Sequence, residues 1–148
     1  MRKIALFEPG FFLFFGLFHL HRIWGLFDRK AYASFWLQVM EQRGALYFLL
    51  MGVLAALCLV GMIVFFRNWP RNPWWRWIYL FGGGYVLFDL FAIATGLQFW
   101  QRLLLWMFDT ASPYWNLLWS IFIALGAFSF GLGIWLLNKR IKQGRITA

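Results

Sequence analysis

The chain of 148 residues is 63% hydrophobic and only 13% charged, against roughly 25% charged residues in an ordinary soluble domain. So much apolar sequence cannot all be buried in a globule of this size, which excludes a purely soluble domain and leaves lipid as the partner of the long apolar runs. The formal charge of +9, from 14 basic and 5 acidic residues, is spread between those runs; with no polar basic domain to hold nucleic acid, it reads as topology-setting and headgroup-contacting charge.

The expected fold is an all-α integral membrane protein. One helical-bundle domain over residues 1–148 carries four transmembrane helices, with a short interfacial amphipathic helix between the first two. The first span is drawn from Gly10 to Phe27, in "GFFLFFGLFHLHRIWGLF". A frame from Ile4 to His21 would place Glu8 in the membrane; the later frame follows Pro9, a good first-turn residue, and closes on Asp28, Arg29 and Lys30. It sets His19 near mid-depth and Arg22 within snorkelling reach of the headgroups. No A-x-A cleavage signal follows and no lipobox cysteine is present, so the segment is expected to stay as an anchor.

His19 and His21 are the two histidines. Two residues apart on a helix is about 200° of rotation, so they point to opposite sides and cannot share one metal ion on an unbroken helix. No metal site is expected. His19 lies on the same side as Arg22. Haem ligated through His19, with its other axial ligand from a partner, is the one cofactor alternative; otherwise no cofactor is expected.

"AYASFWLQVMEQR" follows. Tyr32, Phe35, Trp36, Val39 and Met40 share one helical side; Ser34, Gln38, Glu41 and Gln42 take the other. This predicts an amphipathic helix in the membrane interface, the alternative being a short helix folded over the others, with Gly44 as its break. The second span runs from Ala45 to Phe66 and carries Gly52 and Ala56 at a four-residue spacing. Cys58, the single cysteine, permits no disulfide within the chain and packs as a small hydrophobe.

"RNWPRNPWWRW" turns the chain with two prolines and presents tryptophan and arginine to the headgroup layer. The third span covers about Trp77 to Trp100. It contains Asp89, the most informative residue of the chain, because a carboxylate at mid-bilayer costs several kcal/mol unless paired, hydrated or protonated. Gly82, Asp89, Ala92 and Gly96 share a side, with Tyr85 beside them as a hydrogen-bond donor one turn away. The structural reading makes Asp89 a buried post, paired with His19 or Arg22; the functional one makes it a proton or cation site. The adjacent "GGGY" lacks the lysine and Ser/Thr of a phosphate-binding loop.

"QRLLLWMFDTASPYW" is too short to cross; it dips into the interface or continues the third helix. Ser112 and Pro113 form an N-cap and first-turn pair for the fourth span, about Pro113 to Leu137. There Ser120, Ala124, Ala127 and Gly131 form a narrow small-residue stripe, and Ser129 with Gly133 a second, offset pair. On the first stripe, Gly131→Leu is expected to disturb a close helix contact more than Leu132→Phe.

With four crossings, one side collects Arg2, Lys3, Arg67, Arg71, Arg76, Lys139, Arg140, Lys142 and Arg145. The other collects Arg22, Arg29, Lys30, Arg43 and Arg102. The excess predicts cytoplasmic termini in a plasma or inner membrane. Neither G-x-S-x-G nor H-E-x-x-H occurs. The leading functional class is therefore a non-enzymatic small subunit or accessory protein, its partners being lipid and either a second copy or other membrane subunits. An oligomeric proton-coupled carrier or channel using Asp89 is the alternative. A lipid-active enzyme using His19 or His21 with an interfacial acid ranks third.

Overall fold

The computed structural model describes residues 4–146, with side chains described through Gln143. Arg2, Lys3 and the side chain of Arg145, counted above for topology, lie outside that description. Every regular element among the described residues is helical: α1 (Phe7–Leu20), α2 (Ile23–Phe27), α3 (Arg29–Gln42), α4 (Ala45–Arg67), a 3-10 turn (Trp74–Arg76), α5 (Trp77–Thr95), α6 (Gln98–Met107) and α7 (Trp115–Ile146). Among the described residues four stretches are long and apolar enough to cross a membrane: Phe7–Phe27, Ala45–Arg67, Trp74–Thr95 and Trp115–Gln143. The first begins three residues before the expected Gly10, with Pro9 accommodated in the opening turn, where its missing N–H costs nothing. Glu8 therefore lies inside α1 and is buried.

The helices group into two compact units: the chain up to Tyr32 together with the chain from Thr110 onward, and Ala33–Asp109. The first unit is an antiparallel pairing of α1 and α2 with α7. Along α7 its contact positions are Trp115, Trp119, Phe122, Gly126, Ser129, Gly133 and Leu136, alternately four and three residues apart, the seam of a helix pair. Three glycines bring the backbones together. A Cβ on Gly16 would lie 2.6 Å from Phe130 Cβ, one on Gly126 would lie 2.7 Å from His19 Cβ, and one on Gly133 would lie 2.9 Å from Leu13 N. Ser129 Oγ donates to Phe12 O at 2.9 Å across the same seam.

Between α1 and α2 the hydrogen bonds tighten to three-residue steps, with Arg22 N–H donating to His19 O and Gly25 N–H to Arg22 O. This 3-10-like turn interrupts the helix at His21 and Arg22. Asp28 Oδ1 then accepts from Ala31 N–H at 2.9 Å and caps α3. Along α3, Tyr32 and Ala33 are buried and Trp36, Val39 and Met40 half-buried, while Phe35 is exposed with Ser34 and Gln38. The helix ends on Arg43 in the left-handed region (φ 47°) rather than on a helix-breaking Gly44, which is extended.

The second unit pairs α4 with α5. Tyr47, Leu54, Cys58, Gly61 and Phe65 are buried on α4, again at seven-, four- and three-residue steps. Gly61 faces the Tyr79 ring, and Gly83 faces Cys58. The turn satisfies the last carbonyls of α4 with side-chain amides: Asn68 Nδ2 donates to Val64 O at 2.5 Å and Asn72 Nδ2 to Phe65 O at 2.8 Å. Arg76, expected among the headgroup-facing cations, is instead buried, and its Nη1 donates to Asn72 Oδ1 at 3.4 Å.

The third span stops at Thr95, five residues before the expected Trp100. Gly96 adopts φ 71°, and its N–H and that of Leu97 both donate to Ala92 O. The left-handed geometry is what requires glycine there. Trp100 therefore belongs to α6, a separate amphipathic helix. α7 starts at Trp115, two residues after Pro113, with Ser112 Oγ accepting from Tyr114 N–H at 3.2 Å.

Candidate functional site

Two polar clusters emerge, one in each unit. In the first, the interrupted helix turns its two histidines apart. His19 faces α7, its Cβ against Gly126 and its ring edge-on to Phe122 at 6.0 Å. Its Nδ1 is buried without a hydrogen-bond partner. Arg22 follows on the same side, as the spacing predicts, its guanidinium 4.6 Å from the Phe122 ring centre and 5.6 Å from those of Phe18 and Trp119. Three aromatic faces around one guanidinium offset part of the cost of removing it from water.

His21 points toward α3. Its Nδ1 bonds Phe18 O, and Tyr32 Oη lies 3.3 Å from its Nε2. The carbonyl can only accept, so Nδ1 carries the proton and Nε2 accepts from the tyrosine O–H. Arg22 in turn bonds the Tyr32 side chain. The order runs from guanidinium to phenol to imidazole to backbone carbonyl, each group donating to the next. Burial pushes the Tyr32 hydroxyl up to about 12, the nearby Arg22 pulling the other way; Tyr32 therefore remains a donor at neutral pH. Trp115 and Trp119 close the cluster, each 1% exposed, and Trp115 Nε1 donates to Gly25 O at 2.8 Å.

In the second unit, Asp89 is six residues from the end of α5, about 9 Å at the helical rise, rather than at the middle of its span near Gly84 and Tyr85. It is half-buried and accepts a 2.5 Å hydrogen bond on Oδ1 from Trp100 Nε1 of α6. The partners expected from sequence were Tyr85, His19 or Arg22; the indole was missed because Trp100 was drawn as the end of the same helix. Gly96 followed by the amphipathic "QFWQRLLLWM" was the available signal of a stop and a return. The Trp100 ring also meets Phe88 at 5.2 Å, 87° between planes, and Tyr85 at 6.3 Å.

The expected packing positions divide. Ala92 is buried, and a Cβ on half-buried Gly82 would touch only Ile78 of its own helix. Gly52, Ala56, Ser120, Ala124, Ala127 and Gly131 are exposed, with nothing within 4 Å of a Cβ built on Gly52 or Gly131. Leu132, by contrast, is buried, so within this chain the expected order of the Gly131→Leu and Leu132→Phe effects reverses. The seam of α7 uses the other pair, Ser129 and Gly133, together with Gly126, which the sequence reading did not single out. No group of three or more His, Cys, Asp or Glu side chains suited to a metal ion occurs among the described residues. No known family, curated protein or solved structure matches the chain.

Proposed function

We propose that the protein is a small integral membrane subunit with both termini cytoplasmic, and that it acts by packing the outward face of α7 against another membrane helix. The observation carrying this reading is the two-sided character of α7. Its seam faces α1, while Ser120, Ala124, Ala127 and Gly131, about 160° round from it, form a second small-residue stripe that is exposed. In lipid, large apolar side chains gain little from leaving the bilayer for a neighbouring helix, whereas small residues let backbones approach.

Low burial supports the membrane part: 28% of the apolar stretch of the first span is buried and 22% of each of the other three. The nine-to-five distribution of basic residues supports the orientation. In the first cluster the Tyr32 hydroxyl, which donates to His21 Nε2, is closed off, Tyr32 being 1% exposed. The carrier alternative needs Asp89 in a path across the membrane; a carboxylate bonded to an indole near a helix end favours anchoring instead.

The test is extraction of the protein from its own membrane into native-lipid nanodiscs, with mass spectrometry of the particle. A fixed stoichiometry of more than one chain is expected, either a second copy or an unrelated subunit. Particles holding a single chain, with proton-linked solute flux after reconstitution, would favour the carrier.

A further inference from the structure

The two polar clusters differ in access. Around Arg22, the tyrosine and both tryptophans are about 1% exposed, so the guanidinium is packed into the seam. Around Asp89, Trp100 is 8% exposed but Tyr85 is 52% and Phe88 48% exposed. One indole organises the second cluster. Its N–H holds the carboxylate, and its ring meets Phe88 and Tyr85. A carboxylate of fixed orientation thus sits beside three aromatic rings, two of them open to the surroundings of α5.

We propose that Asp89, Tyr85, Phe88 and Trp100 form a binding site for a lipophilic organic cation, a quaternary ammonium or phosphonium group on an apolar body. The chemistry follows from the four groups. The carboxylate supplies the opposite charge, and the ring faces supply the attraction that aromatic cages exert on cations too large to be held by hydrogen bonds. Such a cation has no N–H donor of its own, so it is drawn by the charge of the carboxylate without competing with Trp100 Nε1 for a hydrogen bond. The site's position about 9 Å inside the end of α5 suits a weakly hydrated charged group drawn below the headgroups, with its apolar body in the hydrocarbon. This lateral approach rests on the membrane reading above, not on the assembly of α7.

The probe is tetraphenylphosphonium, titrated into the purified full chain in dodecyl maltoside and followed by equilibrium dialysis. Saturable binding at one site per chain is expected. Asp89→Asn keeps the shape and can still accept from the indole; it should weaken binding by on the order of tenfold, the scale of one partly desolvated charge contact. Asp109→Asn, which removes an exposed acid beyond α6, should leave binding unchanged. Equal binding by wild type and Asp89→Asn overturns the proposal, as does equal loss in Asp109→Asn. If Asp89→Asn does not fold, Tyr85→Leu decides: several-fold weaker binding supports the site, and unchanged binding overturns it. Competition by lysophosphatidylcholine but not lysophosphatidylglycerol would identify a choline headgroup as the source of the cation; competition by neither would identify a free lipophilic cation. The particle mass used to test assembly is independent of every one of these outcomes.

Discussion

The α1–α7 pair and the α4–α5 pair follow one spacing rule but differ in how closely their backbones meet. In the first, Gly16, Gly126 and Gly133 each have backbone atoms or a Cβ from the opposite helix within 3.0 Å of where a side chain would begin. In the second, the nearest atoms are the Tyr79 ring at 3.3 Å from Gly61 and Cys58 Cβ at 3.6 Å from Gly83. Glycine is therefore a steric requirement in one pair and a mild choice in the other. The lesson is that a small residue in a membrane-type helix says little until the atoms opposite it are known.

The strongest way to break this contrast is Gly126→Ala. Its Cβ would meet His19 Cβ at 2.7 Å and the Gly16 carbonyl at 3.1 Å, and neither is the tip of a flexible side chain. A loss of about 2–3 kcal/mol is expected from overpacking, read as a lowered Tm in detergent. Ser129→Ala keeps the seam's shape but removes the bond to Phe12 O, and should cost about 0.6–1 kcal/mol. Gly83→Ala should lie at the other extreme. Its Cβ fits at ordinary contact distance, so the better helix propensity of alanine should leave stability unchanged or raise it by up to about 1 kcal/mol. If Gly126→Ala and Gly83→Ala shift Tm alike, the distinction between the two pairs fails.

The Arg22–Tyr32–His21 chain adds a pH-dependent test to the first unit alone. The folded-state hydroxyl of Tyr32 titrates at about 12 rather than 10.0. Its contribution is thus fully present below pH 10 and is lost as the pH rises from 10 toward 12. Tyrosinate absorbance should reveal a late-titrating component in the wild type that Tyr32→Phe removes, together with part of the alkaline loss of stability.

Much of this was legible in the residues. Four long apolar runs gave four helices of spanning length, and the turn at "NWPRNP" gave the break between α4 and α5. The shared side of His19 and Arg22 followed from a spacing of three and survived the turn at His21 and Arg22, because its three-residue hydrogen bonds keep residues three apart on one side. Other features were hidden for physical reasons. Gly96 is small because its backbone is left-handed, which apolar periodicity does not report. Asp89 and Trp100 are eleven residues apart and meet because the chain reverses between them. Two offset stripes on α7 are nearly equivalent as patterns; the choice of Gly126, Ser129 and Gly133 for α1 depends on what α1 presents, namely Gly16 and the Phe12 carbonyl.

The central claim is that α7 has one face for its own chain and another for a neighbour. Gly131 separates them most directly, since nothing lies within 4 Å of a Cβ built there. The deciding measurement is the mass of the native-lipid particle carrying Gly131→Leu. The account predicts that the wild-type particle contains more than one protein chain, and that Gly131→Leu falls to the mass of one chain while its Tm in detergent stays at the wild-type value. A variant particle of unchanged mass would contradict it.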